Sequence, residues 1–438
     1  MDIKPYAKNA KLHPDKQLKQ IADSLKRFGW LQPIVVDKDF TIIVGHGRWL
    51  AYKKFPEGIK DPWIIKADTL TEDEVKAYRL ADNKLNESQW DMDLALEDLK
   101  LLPEELFNLT GFDKDLLIEP DDQDDVVPED VPARSKLGDL YELGQHRVLC
   151  GDSTQEEPVL RLCGGNRAQM CFTDPPYNVD YQGGMGTHEQ NKREGIKNDK
   201  MSKESFKEFL TKAMKPIVAN TDGGIYVCMS SSELDSLKSA FEDGGGHWQS
   251  FIMWVKNNFT LSRADYQNTY EPILYGWRNG IVNHYFTQRR DIANVWEDLS
   301  KVKTEYDGKS TTITFSGFKV KLEGKIGKGE VIRKKQHTDI WRHDKPTKSS
   351  EHPTMKPVAL VVEAITNSSQ QGDIVLDTFL GSGSTLIASE KTGRICYGIE
   401  LDPKYVDVIV QRYVDYVNNP MVKCNGIDQT NLWIKTQK

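Results

Sequence analysis

Short apolar strands alternate with helical segments through the C-terminal two thirds of the chain, and this alternation constrains the fold more than any other feature. The apolar runs have the length of buried strands, and the segments between them carry apolar residues at helical spacing. The predicted strands are Gln169–Thr173, Gly224–Met229, Ile374–Asp377 and Arg394–Glu400. The predicted helices are Ser205–Asn220, Pro403–Asn418 and one that begins at about Ser384. Strands joined by crossover helices indicate a doubly wound α/β sheet.

An acidic segment divides the chain. Residues 119–132 contain seven acidic residues, three prolines and no basic residue. Such a composition cannot build a core, and its like charges repel, which predicts an extended linker. We therefore predict an N-terminal domain over residues 1–118, a linker over 119–137 and a C-terminal domain over 138–438. In the N-terminal domain, a helix at Gln17–Phe28, two strands and a short helix at Trp49–Phe55 indicate a small α+β fold.

Basic charge is concentrated in two segments, although the whole chain has a net charge of −8. Residues 278–348 hold 16 basic against 9 acidic residues, and residues 1–55 hold 11 against 5. Because local patches decide where a polyanion docks, both segments are candidates for contact with DNA; a merely solvated surface is the alternative for each. Short β-type runs rich in Thr, Lys and Gly indicate a β-rich insert over about 278–345. The candidate DNA contacts are Arg289, Arg290, Arg333, Lys334, Lys335 and Arg48.

Neither a metal site nor a membrane span is predicted. The six cysteines lie far apart and form no Cys-x-x-Cys pair, which argues against a zinc knuckle and a disulfide framework. No apolar run approaches the roughly 20 residues that a membrane span needs, and the first residues do not form a signal peptide. We therefore expect a protein of the reducing cytoplasm.

A glycine turn follows the predicted strand Ile374–Asp377. Gly381 and Gly383 allow the backbone to turn tightly and to approach a ligand closely. Leu386 stands where a third glycine would be, so the pattern does not demand a pyrophosphate. Glu400 ends the next strand, at a distance where an acid usually accepts from ribose hydroxyls. This combination suits a nucleoside joined to a group other than phosphate, such as S-adenosylmethionine (SAM). Ordinary strand–turn–helix packing on glycines is the alternative.

The tetrapeptide Asp174-Pro175-Pro176-Tyr177 follows another predicted buried strand. The two prolines stiffen the chain and remove backbone donors, which leaves the Pro175 carbonyl free to accept. The Asp174 carboxylate and that carbonyl can each accept one hydrogen of an exocyclic NH2 group, which keeps the nitrogen lone pair available for attack on an electrophilic methyl group. Tyr177 offers a face on which an extruded base can stack. A strand-ending turn without chemistry is the alternative.

Together, in this order, the two motifs resemble those of the DNA amino-methyltransferases, which transfer a methyl group from SAM to the exocyclic nitrogen of adenine or cytosine. The order is similar to that of the family's β group, which implies a Rossmann-like SAM-methyltransferase sheet with a circularly permuted motif order. The likeness covers about residues 138–418. It also includes Gly151-Asp152, Trp254-Val255-Lys256, Tyr270-Glu271 and His352-Pro-Thr-Met-Lys356-Pro357.

The resemblance implies roles for individual residues. Asp152 is expected near the SAM adenine and Lys356 near the methionine end. The full set of expected cofactor contacts is Asp152, Lys356, Asp377, Phe379, Gly381, Gly383, Thr385 and Glu400. The basic insert corresponds to the family's target-recognition region. Asp174 favours adenine, because relatives that act on cytosine more often have Ser there. Members of this group often dimerise, so a homodimer is one expectation, and no obligate nuclease partner is visible in the chain.

The first hundred or so residues resemble ParB-like domains. The likeness rests on the helix–strand–strand opening, on Gly45-His46-Gly47-Arg48 and on Leu80-Ala-Asp-Asn-Lys84. In such domains the Gly/Arg segment at a helix N-terminus binds a phosphate or nucleotide. The partition proteins have two adjacent arginines where Arg48 stands alone, which argues against nucleotide hydrolysis. DNA or anion binding, a docking module and catalysis all stay open for this domain.

The resulting hypothesis is a SAM-dependent methyltransferase that modifies adenine N6 in double-stranded DNA. Cytosine-N4 methylation is the alternative within the same class. A DNA-binding, partition-type protein with an idle SAM fold is the alternative outside it.

Overall fold

The computed structural model describes residues 3–434, apart from residues 8, 10, 12, 86–91, 120, 130, 179–200, 257–269, 282–302, 307–309, 316–317, 324–339, 343–354 and 419. The chain divides into two compact units, Met1–Glu119 and Pro120–Lys438. The division lies beside the domain boundary that the acidic composition predicts. None of the described helices is long and apolar enough to cross a membrane.

The N-terminal unit is a small α+β domain, as predicted. Its strands are β1 (Ile34–Val36), β2 (Ile42–Val44) and β3 (Ile64–Lys66). Its helices are α1 (Asp15–Phe28), α2 (His46–Lys54), α3 (Glu72–Leu85), α4 (Met92–Leu101) and α5 (Glu104–Phe107). Strand β1 lies between β2, to which it is antiparallel, and β3, to which it is parallel.

Local sequence explains where these helices begin and end. Helix α1 ends at Gly29, which has φ 74° and donates its N–H to the carbonyl of Leu25. Helix α3 begins with a capping box, because Thr71 and Glu74 exchange hydrogen bonds of 2.8 and 3.3 Å. Helix α2 begins at His46 rather than at Trp49, where the apolar pattern places its start. The reason is Gly45, whose left-handed conformation (φ 97°) lets the chain enter the helix three residues earlier.

The C-terminal unit is built on an 11-stranded sheet. Its strands, together with those of a separate three-stranded sheet, are β4 (Leu140–Leu143), β5 (His146–Cys150), β6 (Met170–Thr173), β7 (Ile225–Cys228), β8 (Gly246–Val255), β9 (Tyr270–Arg278), β10 (Lys303–Tyr306), β11 (Ser310–Phe315), β12 (Phe318–Glu323), β13 (Ile340–Arg342), β14 (Ile374–Asp377), β15 (Ile395–Glu400), β16 (Val422–Cys424) and β17 (Ile427–Asp428). Its helices are α6 (Glu156–Cys163), α7 (Lys203–Ala219), α8 (Leu234–Asp243), α9 (Val358–Ser368), α10 (Ser384–Lys391), α11 (Pro403–Val417) and α12 (Thr430–Trp433).

The strand order confirms the doubly wound, Rossmann-like prediction. The order across the large sheet is β13-β8-β9-β7-β6-β14-β15-β5-β4-β16-β17. The five strands from β7 to β5 are parallel, so their carboxyl ends lie at one edge. Strand β9 is antiparallel to β7, which brings its first residues to that same edge. The described strands of the predicted β-rich insert are β10–β12, which form the separate sheet, and β13, which pairs with β8 in the large sheet.

Helices cover both faces of the parallel strands. Within β6, Cys171 packs in the apolar cluster that includes α7, whereas Met170 and Phe172 pack in the cluster that includes α9. Successive side chains of a strand point to opposite faces, so the two clusters lie on opposite sides of the sheet. A strand buried on both faces explains why β6 reads as a continuous apolar run.

The acidic segment packs against the C-terminal unit, although its composition predicts an extended linker. Asp124 is only 5% exposed and pairs with Lys391. Its backbone carbonyl accepts a hydrogen bond of 2.7 Å from Arg412 Nη2. Asp125 Oδ1 accepts one of 2.9 Å from the backbone N–H of Val358, at the start of α9. Cations and backbone donors on the C-terminal unit offset the repulsion that composition alone predicts.

Candidate active site

The two sequence motifs meet at the carboxyl edge of the parallel strands. Asp174 follows β6 and Asp377 ends β14, and these strands are neighbours. Thr173 Oγ1 donates a hydrogen bond of 2.8 Å to Asp377 Oδ1. The residue just before the Asp-Pro-Pro-Tyr motif is therefore hydrogen-bonded to the residue that opens the glycine turn. The strand order also reverses between β6 and β14. Ligands of doubly wound sheets bind at such a switch point.

Asp377 fixes the glycine turn. Its Oδ1 also accepts from the backbone N–H of Phe379 at 3.0 Å, and its Oδ2 accepts from Thr385 Oγ1 at 2.6 Å. Burial raises the pKa of this carboxyl to about 6, against the hydrogen bonds that favour its charged form. Both oxygens therefore have partners within the protein, and the side chain acts on the shape of the turn.

The turn itself depends on its glycines and on Glu400. Gly381 and Gly383 have φ values of 56° and 88°, a region that favours glycine. The backbone N–H of Gly381 donates to Glu400 Oε2 at 2.9 Å, and that of Asp402 donates to Oε1 at 2.9 Å. Burial raises the pKa of Glu400 to about 7, although the backbone donors favour its charged form. Glu400 thus lies at the turn, and its predicted contact with ribose hydroxyls stays a prediction.

A cavity of about 330 Å³ lies next to the glycine turn and is lined by Asp152, Thr154, Met201, Ser205, Glu208, Phe209 and Lys212. The cavity lies beside the turn because Phe209, one of its lining residues, packs edge-on against Phe379 of the turn, with ring centroids 6.1 Å apart. The backbone N–H of Gly151 donates to the carbonyl of Glu400 at 2.9 Å, which brings Asp152 to the same part of the edge. The expected cofactor residues at these positions are therefore neighbours.

Asp174 has one engaged and one unengaged oxygen. Its Oδ2 accepts a hydrogen bond of 2.6 Å from Lys356 Nζ. Its Oδ1 is buried and has no hydrogen-bond partner among the residues that the structure describes. Burial raises the pKa of Asp174, and Lys356 opposes that shift. A buried acceptor without a partner is costly, which points to a ligand donor at this position.

Charged side chains from two further strands complete this end of the site. Glu271, near the start of β9, accepts a hydrogen bond of 3.1 Å from the Tyr177 hydroxyl and pairs with Lys256, which follows β8. Lys356 Nζ lies 3.5 Å from Glu271 Oε2. Burial works against the charge of Glu271, but Lys356 and Lys256 outweigh it and lower the pKa of this carboxyl to about 2.

Sequence reasoning assigned no role to Lys256 or Glu271 and expected Lys356 beside the methionine end of the cofactor. The ammonium group of Lys356 contacts Asp174, in the amine site, and its place beside the methionine end of SAM stays a prediction. A usable signal existed, because a single charged residue next to a long apolar strand often marks a ligand-binding edge. Lys256 and Glu271 meet at this edge only because β8 pairs antiparallel with β9 and β9 pairs antiparallel with β7. The sequence does not show these pairings.

The candidate DNA contacts are described only in part. Arg289, Arg290, Arg333, Lys334 and Lys335 lie outside the described residues. Arg48 lies in the first turn of α2, where its guanidinium donates to Gln32 Oε1 at 2.8 Å and to the carbonyl of Pro33 at 3.0 Å. His46 accepts from the backbone N–H of Tyr6, and burial lowers its pKa to about 4. His46 is therefore neutral at physiological pH and structural in its contacts.

Comparison with known proteins gives matches to both units. A family model described as DNA methylase matches residues 168–411, and one described as ParB N-terminal domain matches residues 3–83. The type II methyltransferase M.HinfI of Haemophilus influenzae is 24% identical over 306 residues, which cover 66% of this chain and 73% of the relative. The type II methyltransferase M2.MboI of Moraxella bovis is 27% identical over 264 residues, which cover 57% and 81%.

Among solved structures, the M1.HpyAVI–SAM complex is 19% identical and has a TM-score of 0.37, covering 60% of this chain and 98% of that chain. The methylase model spans more than half of the chain and includes both motifs of the sheet edge. The protein belongs to the family of N6/N4 DNA methylases and carries a ParB N-terminal domain.

Proposed function

We propose that this protein transfers a methyl group from SAM to the exocyclic N6 of an adenine extruded from double-stranded DNA. The observation that carries the proposal is the buried, unpartnered Oδ1 of Asp174, whose chain neighbour Thr173 is hydrogen-bonded to Asp377 at the start of the glycine turn. Family membership supports the general reaction, and the site supports the choice of an amino group as acceptor.

The amine site offers acceptors rather than donors. Asp174 Oδ1 would accept one hydrogen of the NH2 group, and the Pro175 carbonyl would accept the other. With both hydrogens held, the nitrogen lone pair points away from the ring system and toward the electrophile. Tyr177 stacks on the base, and its hydroxyl is fixed by Glu271.

The residues of the edge fit SAM better than a phosphate-bearing cofactor. Bound SAM supplies an electrophilic methyl group on a sulfonium cation. Two carboxyl groups, Asp377 and Glu400, flank the turn, and they favour a cation and disfavour a pyrophosphate. Asp152 and Phe379 would contact the nucleoside beside the cavity, Gly381 and Gly383 would allow close approach, and Asp377 with Thr385 would hold the turn in shape.

The choice of adenine rests on the resemblance, since position 174 is Asp and relatives that act on cytosine more often have Ser there. A carboxylate accepts more strongly than a hydroxyl, and at this position it can take an amine hydrogen without giving one. Cytosine N4 carries the same NH2 group, so it is the natural second substrate to test.

The N-terminal ParB domain and the basic insert are the proposed DNA-contacting parts. The insert would select the target site through Arg289, Arg290, Arg333, Lys334 and Lys335. Arg48 would contribute a weaker contact, because two of its guanidinium donors already serve protein acceptors. We further propose that the protein works in the cytoplasm, in keeping with six free and buried cysteines. A homodimer is the proposed assembly, and light scattering tests it.

Isotope-labelled SAM tests the proposal directly. The purified protein is incubated with mixed-sequence duplex DNA, and the digested nucleosides are analysed by mass spectrometry. Labelled N6-methyladenine is the expected product. Labelled N4-methylcytosine would keep the mechanism and overturn the choice of base. No label, with SAM binding confirmed by calorimetry, would contradict the proposed function and favour an idle SAM fold.

A further inference from the structure

A buried chain of alternating charges leads to the acceptor carboxylate. Lys256, Glu271, Lys356 and Asp174 alternate in sign, so the four side chains are neutral as a set. Lys356 Nζ lies 2.6 Å from Asp174 Oδ2 and 3.5 Å from Glu271 Oε2. The side chain of Lys356 is only 6% exposed. An ion buried to this degree is costly unless it is well paired, so the arrangement asks for a function.

The position of Lys356 is fixed from several sides. Ser384 Oγ, at the start of α10, donates a hydrogen bond of 2.7 Å to the carbonyl of Lys356. Two residues later, the backbone N–H of Val358 is held by Asp125. The ammonium lies 5.0 Å from the ring centroid of Tyr177 and 5.9 Å from that of Trp254. Its contacts therefore direct it toward Asp174 rather than toward the cavity beside the glycine turn.

We propose that Lys356 is the positioning residue of the amine site: it holds Asp174 by Oδ2, so that Oδ1 is presented as the single carboxylate acceptor for the exocyclic amine. This inference rests on the proposed function. Glu271 holds both Lys356 and the Tyr177 hydroxyl. The Glu271 carboxylate therefore positions both Lys356, which holds the acceptor Asp174, and the ring of Tyr177. In this proposal, Lys356 holds Asp174 rather than the methionine end of SAM.

The charges around Asp174 give the proposal a specific signature. The groups that face it are Lys356 before α9, Glu271 on β9, Tyr177 in its own loop, Cys228 on β7 and Asp377 on β14. Among these described groups, Lys356 alone is positive. Removing its charge leaves burial and Glu271, which raise the pKa of the Asp174 carboxyl, opposed only by the smaller effect of the Tyr177 hydroxyl. Protonated Asp174 cannot accept the amine hydrogen at Oδ1 in the same way, so the methylation rate should fall at low pH; we call this fall the acid limb. With Lys356 removed, the acid limb should move to higher pH.

The test compares single-turnover methylation rates from about pH 5 to 9 for three variants and a control. Lys356→Met removes the charge at similar volume, and Lys356→Arg keeps it. The double variant Lys356→Met/Glu271→Gln keeps the cluster neutral overall, which guards against misfolding caused by an unpaired buried charge. The control is Lys203→Met on α7, which breaks an exposed pair with Asp235 on α8.

We expect both Lys356→Met and the double variant to lose about 100-fold in rate at neutral pH. Lys356→Met should shift the acid limb upward by at least about one pH unit, and the double variant should shift it in the same direction by less, because Glu271 no longer raises the pKa of Asp174. The Kd for SAM, measured by calorimetry, should change less than about threefold in both. Lys356→Arg should keep the acid limb of the wild-type protein, and Lys203→Met should match the wild type throughout.

Two results would overturn the inference. An unmoved acid limb with a reduced rate would mean that Lys356 is only structural. A Kd for SAM raised more than about tenfold, with the rate restored at saturating SAM, would return Lys356 to the methionine end. If the wild-type protein transfers no label at all, the proposed function fails and this inference with it, whereas labelled DNA with an unmoved limb overturns this inference alone.

Discussion

Three carboxyl groups, one buried and two partly buried, lie along the sheet edge, and they differ in how many of their oxygens already have partners. Asp377 uses both oxygens to hold the glycine turn. Glu400 accepts two backbone N–H groups, and Asp174 has one oxygen unengaged. An unengaged buried acceptor is the one that a substrate donor stabilises most. At the residue scale, Asp377 therefore acts on the shape of the turn, and Asp174 is the proposed acceptor for the amine.

Asp174→Ala should abolish methylation while the protein still binds SAM. Loss of one preorganised hydrogen-bond group costs on the order of 10²–10³ in rate. The measurement is the rate of label transfer, together with the Kd for SAM. The control is Asp222→Ala, which removes an acid of the same unit that pairs with Arg167 and Arg278 away from the site. Equal rates for the two variants would contradict the assigned role of Asp174.

Glu400 predicts a pH dependence of SAM binding. Its pKa of about 7, raised from 4.5, leaves it half protonated at neutral pH in the ligand-free protein. A bound cation favours the carboxylate, so binding releases a proton and the affinity rises with pH. We expect the Kd to fall roughly tenfold between about pH 6 and 8. Glu400→Gln should weaken binding, flatten this dependence and leave the target sequence unchanged. A slope equal to that of the wild-type protein would contradict the prediction.

At the scale of elements, the acidic segment and the residues that follow it, to about residue 137, act as part of the C-terminal unit. The 1%-exposed carboxylate of Asp407 on α11 accepts from the backbone N–H groups of Arg134 and Ser135 at 2.8 and 2.9 Å. Arg412, on the same helix, joins Asp124 to the carbonyl of Ser382 in the glycine turn. The segment and the turn therefore share one buried network of hydrogen bonds.

Asp407→Ala should lower the free energy of unfolding of the C-terminal unit by about 3 kcal/mol, because it leaves buried donors without partners. Thermal unfolding followed by calorimetry measures the loss. Asp243→Ala is the matched surface control, since it breaks an exposed pair with Lys207 and should cost less than about 0.5 kcal/mol. Similar losses in both variants would mean that the segment is only loosely attached.

At the scale of the whole molecule, the chain combines two units with separate cores. The N-terminal unit, residues Met1–Glu119, has its own sheet and its own apolar clusters. The C-terminal unit, residues Pro120–Lys438, contains the catalytic edge and the basic insert. Because the two units have separate cores, we expect the C-terminal unit to fold without the ParB domain.

Two fragments test where the catalytic unit begins. A fragment over residues 120–438 should fold and bind SAM, whereas one over residues 138–438 should unfold at a lower temperature, because it lacks Asp124, Arg134 and Ser135. Circular dichroism and SAM titration measure both properties. Equal stability of the two fragments would show that the acidic segment is a linker after all, as its composition alone predicts.

The sequence alone determined the alternating α/β fold and both motifs, because strand length, helical spacing, prolines and glycines act on neighbouring residues. It could not place Lys356 on Asp174 or bring Lys256 and Glu271 to the same point. Those contacts join β8, β9 and the start of α9 to β6, and depend on strand order and pairing direction. The packing of the acidic segment was likewise beyond the sequence, because the sequence shows only the repulsion between the segment's own neighbouring charges. The cations that neutralise them come from Lys391 and Arg412, and only the tertiary structure brings those residues close.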